Sequence, residues 1–291
     1  MEKIEEVADK VFALKCEIPD VDTLFTIYLI QEEKGVLIEP GPATLIPAIQ
    51  NGMKQLGMKE LAYVIPTHIH IDHAGGIGSL AKLFPRADII IHPKGARHVI
   101  DPTRLINSTR MAFGDNFEKF YGPILAVPES QVISPEDGGY IPIGGRKLQI
   151  IHAPGHAPHH MAIFDSKTAG LFCGEALGLP QPGKALSPIP LAAPPAFDIS
   201  VYLETIEKLG QLHPRIIFYS HDGTGTDPEQ LIPKVAENTK IVGDFIRKAL
   251  KAGETHEAIT IRVREELGME DVMTVAGYIF YFEKEGLPEG T

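Results

Sequence analysis

A chain of 291 residues with ordinary hydrophobic content is long enough to bury a full core, which excludes a disordered or fibrous protein and points to one large domain, alone or with an appendage. Only 27 Lys and Arg stand against 38 Asp and Glu, a net charge of −11 with no basic run, so no nucleic-acid partner is expected. Two cysteines, Cys16 and Cys173, are too few for a disulfide framework, the start MEKIEEVADKV carries no apolar leader, and no stretch is long enough to cross a bilayer; the expectation is a cytoplasmic protein without a membrane partner.

In chain order, the runs VFALKCEI, TLFTIYLIQ and GVLIEPG, separated by Pro, Asp and Gly, predict an antiparallel strand series between residues 10 and 40. ATLIPAIQNGMKQLGM has helical spacing, LAYVIP is an apolar strand, the segment from Gly75 to Phe84 is helical, and ADIII is another buried strand. Residues 100–130 lack alternation and carry irregular aromatics, so one or two short helices are expected there as an insertion beside a pocket. Strands resume in KLQIIHAPG, MAIFDS and GLFCGE. A Pro-rich connection over 178–197 is longer than most loops of compact domains, and its apolar content predicts an ordered cover. VYLETIEKLGQL predicts a helix leading into the strand RIIFYSHDG. Beyond Pro228 the spacing of Leu231, Val235, Val242, Phe245, Ile246 and Ala249 is helical, and two further amphipathic segments follow at about 255–267 and 271–285.

Several of these strands end in donor atoms. VIPTHIHIDHAGG places His68, His70, Asp72 and His73 directly behind an apolar strand; His156 follows IIHAPG, Glu175 follows LFCG, and His221 follows RIIFYS. Residues two apart in an extended segment point the same way, so His68 and His70 reach a common ion, and after the chain turns Asp72 and His73 face a second position. Imidazole and carboxylate suit Zn²⁺ and other first-row divalent ions, and a pair of ions in such a cluster sits about 3.5–4 Å apart. Gly75 and Gly76 let backbone pass close to this crowded centre.

THIHIDHAGG, APGHAPHH, LFCGEALG and YSHDG, in that order, resemble the metallo-β-lactamase superfamily over roughly residues 10 to 226. The resemblance implies an α/β fold, a four-layer αββα sandwich with metals at the strand ends, here as a catalytic domain over 1–226 with a C-terminal helical appendage over 227–291. It assigns His68, His70 and His156 to a first ion and Asp72, His73 and His221 to a second. Glu175 stands where the family usually has a bridging aspartate and is expected to coordinate the second ion.

Two divalent ions are thus implied, zinc foremost, with iron or manganese as alternatives. The activity implied is a hydrolase using a metal-bound hydroxide on an ester, thioester, lactone, amide or phosphoester of a small molecule, with Asp72 orienting the hydroxide and passing a proton to the leaving group. Phe113, Phe117, Phe120 and Leu191 are expected to line the pocket, and His159 and His160 to support the ligands or face the pocket. Two other readings stay open. A mononuclear iron enzyme resembling the persulfide dioxygenases would retain the same histidine motif. A thioesterase resembling glyoxalase II would use Lys184 as a substrate contact, although that group's tyrosine after the last histidine is replaced by Asp222 and Gly223. A monomer or homodimer is expected.

Overall fold

The computed structural model describes residues 4–115 and 117–287. Its chain falls into two compact units. One comprises the chain up to His152, Met161–Gly174 and Arg215–Thr224; the other comprises Ala153–His160, Glu175–Pro214 and the chain from Gly225 onward.

The first unit begins with a seven-stranded sheet in sequential order: β1 (Ile4–Ala8), β2 (Val11–Ile18), β3 (Val21–Ile30), β4 (Val36–Ile38), β5 (Tyr63–Ile65), β6 (Asp88–Ile90) and β7 (Val132–Ile133). The antiparallel pairing of β1 to β4 gives way to parallel pairing from β4 to β7. Parallel neighbours need crossovers, and helices supply them: α1 (Ile46–Gln55), then α2 (Ile71–Ala74) with α3 (Ile77–Leu83), then α4 (Pro93–Ile100), α5 (Thr103–Phe113) and α6 (Phe117–Tyr121). A second sheet of six strands comprises β8 (Tyr140–Pro142), β9 (Lys147–His152), β10 (Met161–Asp165), β11 (Gly170–Gly174), β12 (Ile216–Tyr219) and β13 (Thr224–Gly225), in spatial order β13-β12-β11-β10-β9-β8.

The period-2 pattern of the strands explains how the layers meet. On β3, Phe25, Ile27 and Leu29 join a core with Ile49, Met53, Ile77 and Leu80 from the helices, whereas Tyr28 and Ile30 face the other way. There they meet Leu148, Ile150, Met161, Ile163, Phe172 and Phe218 of the second sheet. This inter-sheet core centres on three rings: Phe172 stacks on Phe218 at 4.4 Å, and Tyr28 lies 5.2 Å and 5.3 Å from them. A polar anchor at its edge is buried Arg146, whose guanidinium donates to Asp165 at 2.9 Å and to the Asp9 carbonyl at 2.6 Å.

The second unit is built on α7 (Ile199–Gly210), α8 (Pro228–Lys251), α9 (His256–Leu267) and α10 (Val272–Lys284). Each starts where a short polar side chain can accept a free N–H of the first turn: Asp198 from Val201, Asp227 from Gln230, Thr255 from Ala258, and Asp271 from Met273 and Thr274. Tyr202 and Tyr278 are fully buried, with Phe197 between them at 5.5 Å and 4.9 Å. Phe282 is buried as well, but Phe280 points to solvent. The Pro-rich connection is ordered: Leu179 bridges Ile189, Asn238 Nδ2 donates to the Pro188 carbonyl at 2.8 Å, and Ala192 N donates to Thr274 Oγ1 at 3.1 Å. Among the described residues, no helix is long and apolar enough to cross a membrane.

Candidate metal centre

β5 ends at Ile65, the chain then bends at Thr67 and His68, and His70, with φ of −62° and ψ of 154°, is the residue before the single turn of α2. The His68 and His70 rings nevertheless meet, with His68 Nε2 only 2.9 Å from His70 Nδ1. Asp72 and His73 follow on the helical turn, His73 Nε2 lying 3.3 Å from Asp72 Oδ2. Past the end of β12, His221 brings Nε2 to 3.7 Å from the same carboxylate oxygen and its ring to 5.2 Å from that of His73. The closeness that Gly76 permits is to backbone rather than to ligand atoms: a Cβ there would lie 3.1 Å from the Gly41 carbonyl oxygen, which accepts the Gly76 N–H.

In the second unit, Ala153–His160 is a tight loop. Gly155 has φ of 127°, and any Cβ on it would stand 2.4 Å from Tyr202 Cα, so only glycine seats the loop on α7. Thr205 Oγ1 donates to the Pro154 carbonyl, and the Tyr202 hydroxyl donates to the Glu175 carbonyl at 2.9 Å. His156 Nε2 is thereby held 2.7 Å from Glu175 Oε2. His160 is fully buried, and its Nε2 accepts the Glu175 N–H at 3.1 Å, which makes it a neutral imidazole that fixes the Glu175 backbone.

The donor atoms form two sets of four. His68, His70, His156 and Glu175 each offer one ligand atom, all within 4.8 Å of one another; so do Asp72, His73, Glu175 and His221. The remaining ring nitrogens decide whether these sets suit a cation. His156 Nδ1 faces the Leu191 carbonyl at 3.0 Å, His221 Nδ1 the Leu24 carbonyl at 3.3 Å, and His73 Nδ1 a Glu39 carboxylate oxygen. Those oxygens only accept, so Nδ1 of each of the three rings is a donor, which leaves Nε2, the nitrogen turned toward the other donors, as the one able to coordinate. Two carboxylates and five imidazoles whose donor atoms converge in this way match the chemistry of a divalent-ion site.

Glu39 stands directly behind the candidate ligands, a place sequence reasoning missed. It is buried at the end of β4 with φ of 58°, and besides His73 it accepts the Thr67 N–H, so one carboxylate supports both ends of the histidine motif. An acid closing an apolar strand, in GVLIEPG, was the available signal. Tyr28 was missed as well: its buried hydroxyl lies 2.7 Å from the Tyr219 carbonyl and 2.9 Å from that of Gly223, pinning the turn that carries His221. Burial pushes this phenol well above its ordinary pKa.

The family model of the metallo-beta-lactamase superfamily matches residues 26–221. The chain belongs to that superfamily. Its fold is that of the solved archaeal superfamily protein from Sulfolobus tokodaii, with a TM-score of 0.66 at 24% identity over 78% of this chain and 84% of that one. A family protein from Thermus thermophilus superposes with a TM-score of 0.72 at 19% identity, over 95% of this chain and 94% of the other. Among sequence relatives, a hydroxyacylglutathione hydrolase of Yersinia enterocolitica is 25% identical over 153 residues, 52% of this chain and 46% of that protein. The α/β fold with C-terminal helices expected for the superfamily is therefore present.

The residues expected to meet substrate are distributed unevenly. Phe117 is buried against Ile71 and Ile124, beneath the ligand turn. Phe113 is 50% exposed, and Phe120 is partly buried against the helix-side core. Leu191 is buried, and its carbonyl rather than its side chain meets His156. Lys184, 54% exposed, lies 3.7 Å from Glu270, a surface pairing worth about 0–1 kcal/mol.

Proposed function

We propose that the protein is a metal-dependent hydrolase acting on a small ester, thioester, lactone or phosphoester, with two divalent ions, zinc foremost. The observation that carries this reading is the pair of four-donor sets, in which the proton positions of His73, His156 and His221 are dictated by acceptors behind them. When bound, divalent ions there lower the pKa of water toward about 7 and polarise an acyl or phosphoryl oxygen.

The protein's own part is positioning. His68, His70 and His156 would hold one ion, and Asp72, His73 and His221 the other, with Glu175 a member of both sets. Of these side chains His68, His73, His156 and His221 are buried, whereas Asp72 keeps 30% exposure, so it is the carboxylate able to take a proton from the attacking water and hand it to the leaving group. The hydroxyacylglutathione hydrolase relatives support a thioester as one substrate to include.

The test is a panel of ester, thioester, lactone and phosphodiester substrates assayed after reconstitution with Zn²⁺, Mn²⁺ and Fe²⁺, with metal content measured on the same samples. Metal-dependent hydrolysis that disappears in Asp72→Asn and in His68→Ala is expected. A protein that binds a single iron, consumes oxygen and hydrolyses nothing would overturn the proposal.

A further inference from the structure

Resting on that reading, we infer that Phe113 and Tyr121 form an aromatic clamp beside Asp72 that receives the apolar acyl or aryl group of the substrate. α6 presents Phe117 and, one turn later, Tyr121 on the same side, and both pack on the cluster of Ile71 and Ile124. Ile71 stands between His70 and Asp72, so this packing fixes the Tyr121 ring next to the ligand turn.

Phe113, at the end of α5, sets its ring 5.4 Å from Tyr121 at an interplanar angle of 58° while half of the residue stays in solvent. An edge-tilted pair with one open flank offers apolar surface that nothing among the described residues covers. The connection between the two helices is tied: the Gly114 N–H donates to the Arg110 carbonyl, and Arg110 Nε lies 3.4 Å from Asp115, with its guanidinium 5.9 Å from the Phe117 ring. The clamp is thus a defined arrangement of rings held beside a donor cluster, with a single phenolic hydroxyl as its polar contact. That chemistry selects a linear acyl chain or an aryl group over a strongly charged one.

The experiment uses the zinc-reconstituted full chain and titrates acetate, hexanoate and decanoate calorimetrically, alongside hydrolysis of p-nitrophenyl esters of the same acids. A chain packed on one side gains about twofold per methylene, so affinity is expected to rise on the order of tenfold from acetate to hexanoate. Phe113→Ala should lose at least about fivefold more affinity for hexanoate than for acetate, Phe113→Leu should recover much of that difference, and Tyr121→Phe should weaken all the acids by a few fold while keeping the chain-length trend. A flat chain-length dependence, or an unchanged one in Phe113→Ala, overturns the clamp. So does a change of oligomeric state in Phe113→Ala without loss of selectivity, which would make this face a contact between copies. Chain-length-dependent binding without any hydrolysis supports the clamp while sinking the hydrolase reading, and hydrolysis with flat dependence does the reverse.

Discussion

Replacing Glu39 tests whether a carboxylate behind the metal ligands governs how tightly they bind. In Glu39→Ala, His73 Nδ1–H and the Thr67 N–H both lose their buried acceptor, and each stranded donor costs about 1–3 kcal/mol, so roughly 2–5 kcal/mol of stability should go. Glu39→Gln is the more informative change. Its amide can serve only one of the two donors; turned toward His73, its NH₂ drives the imidazole to the other tautomer, and the proton then sits on Nε2, where the lone pair is needed. Affinity for the ion at Asp72, His73 and His221 should fall about 10–100-fold, the usual consequence of disturbing a group behind a ligand. The metal-free protein should melt lower by on the order of 5 °C. Competition with a chromophoric zinc chelator measures the affinity and calorimetry the melting. If Glu39→Gln binds zinc at Asp72, His73 and His221 as tightly as the parent, the argument from ring protonation is wrong.

Three other outcomes are expected. Glu175→Ala should retain about one ion per chain instead of two by elemental analysis, and Glu175→Asp should restore the second; full occupancy in the alanine variant removes Glu175 from the ligand sets. Tyr28→Phe should destabilise by about 1–3 kcal/mol and also weaken zinc binding, because the turn carrying His221 loses the hydroxyl at the Tyr219 and Gly223 carbonyls; a stability loss with unaltered affinity would confine Tyr28 to packing. His92, buried, with its ring tilted against that of His152 and accepting the Lys94 N–H, has its pKa pushed down to about 4, chiefly by burial and then by His152 and Lys94. Because the folded ring stays neutral where the unfolded one takes a proton, its stability contribution is complete above about pH 6.5 and declines as pH falls toward 4; the ceiling is about 3 kcal/mol, and screening brings it to on the order of 1–2. Urea unfolding at pH 7.5 and 5.0 in excess chelator should show a smaller pH difference in His92→Asn than in the parent, and equal differences would refute the assignment.

The donor motif was legible because most of its geometry is local: an apolar strand, two histidines on alternate positions and one helical turn bring four donors together, with Glu39 bracing them from behind. Glu175 and His221 were readable for a related reason, each directly following an apolar strand. What escaped was everything that acts at a distance. Glu39 meets His73 across 34 positions, and the acceptors behind His156 and His221 are the carbonyls of Leu191 and Leu24, which no side-chain pattern marks. Short edge strands such as β7 and β8 have too few residues for a period to register, and α4 went unread although His92 and Pro93 begin it in the usual way, a side-chain acceptor followed by proline. Along α8, Val235, Val242, Ile246 and Ala249 are buried as their spacing predicts, while in its first turn Ile232 rather than Leu231 takes the buried place, a choice that tertiary packing decides.

The ordered Pro-rich connection carries one more consequence. Thr274, in the first turn of α10, holds the Ala192 N–H, and the neighbouring Leu191 carbonyl holds the His156 ring. Two bonds therefore link the tail of the polypeptide to a histidine at its chemical heart. A substitution in α10 that frees the Ala192 N–H is therefore expected to loosen the seat of the His156 ring, although it lies far along the chain from every candidate donor atom.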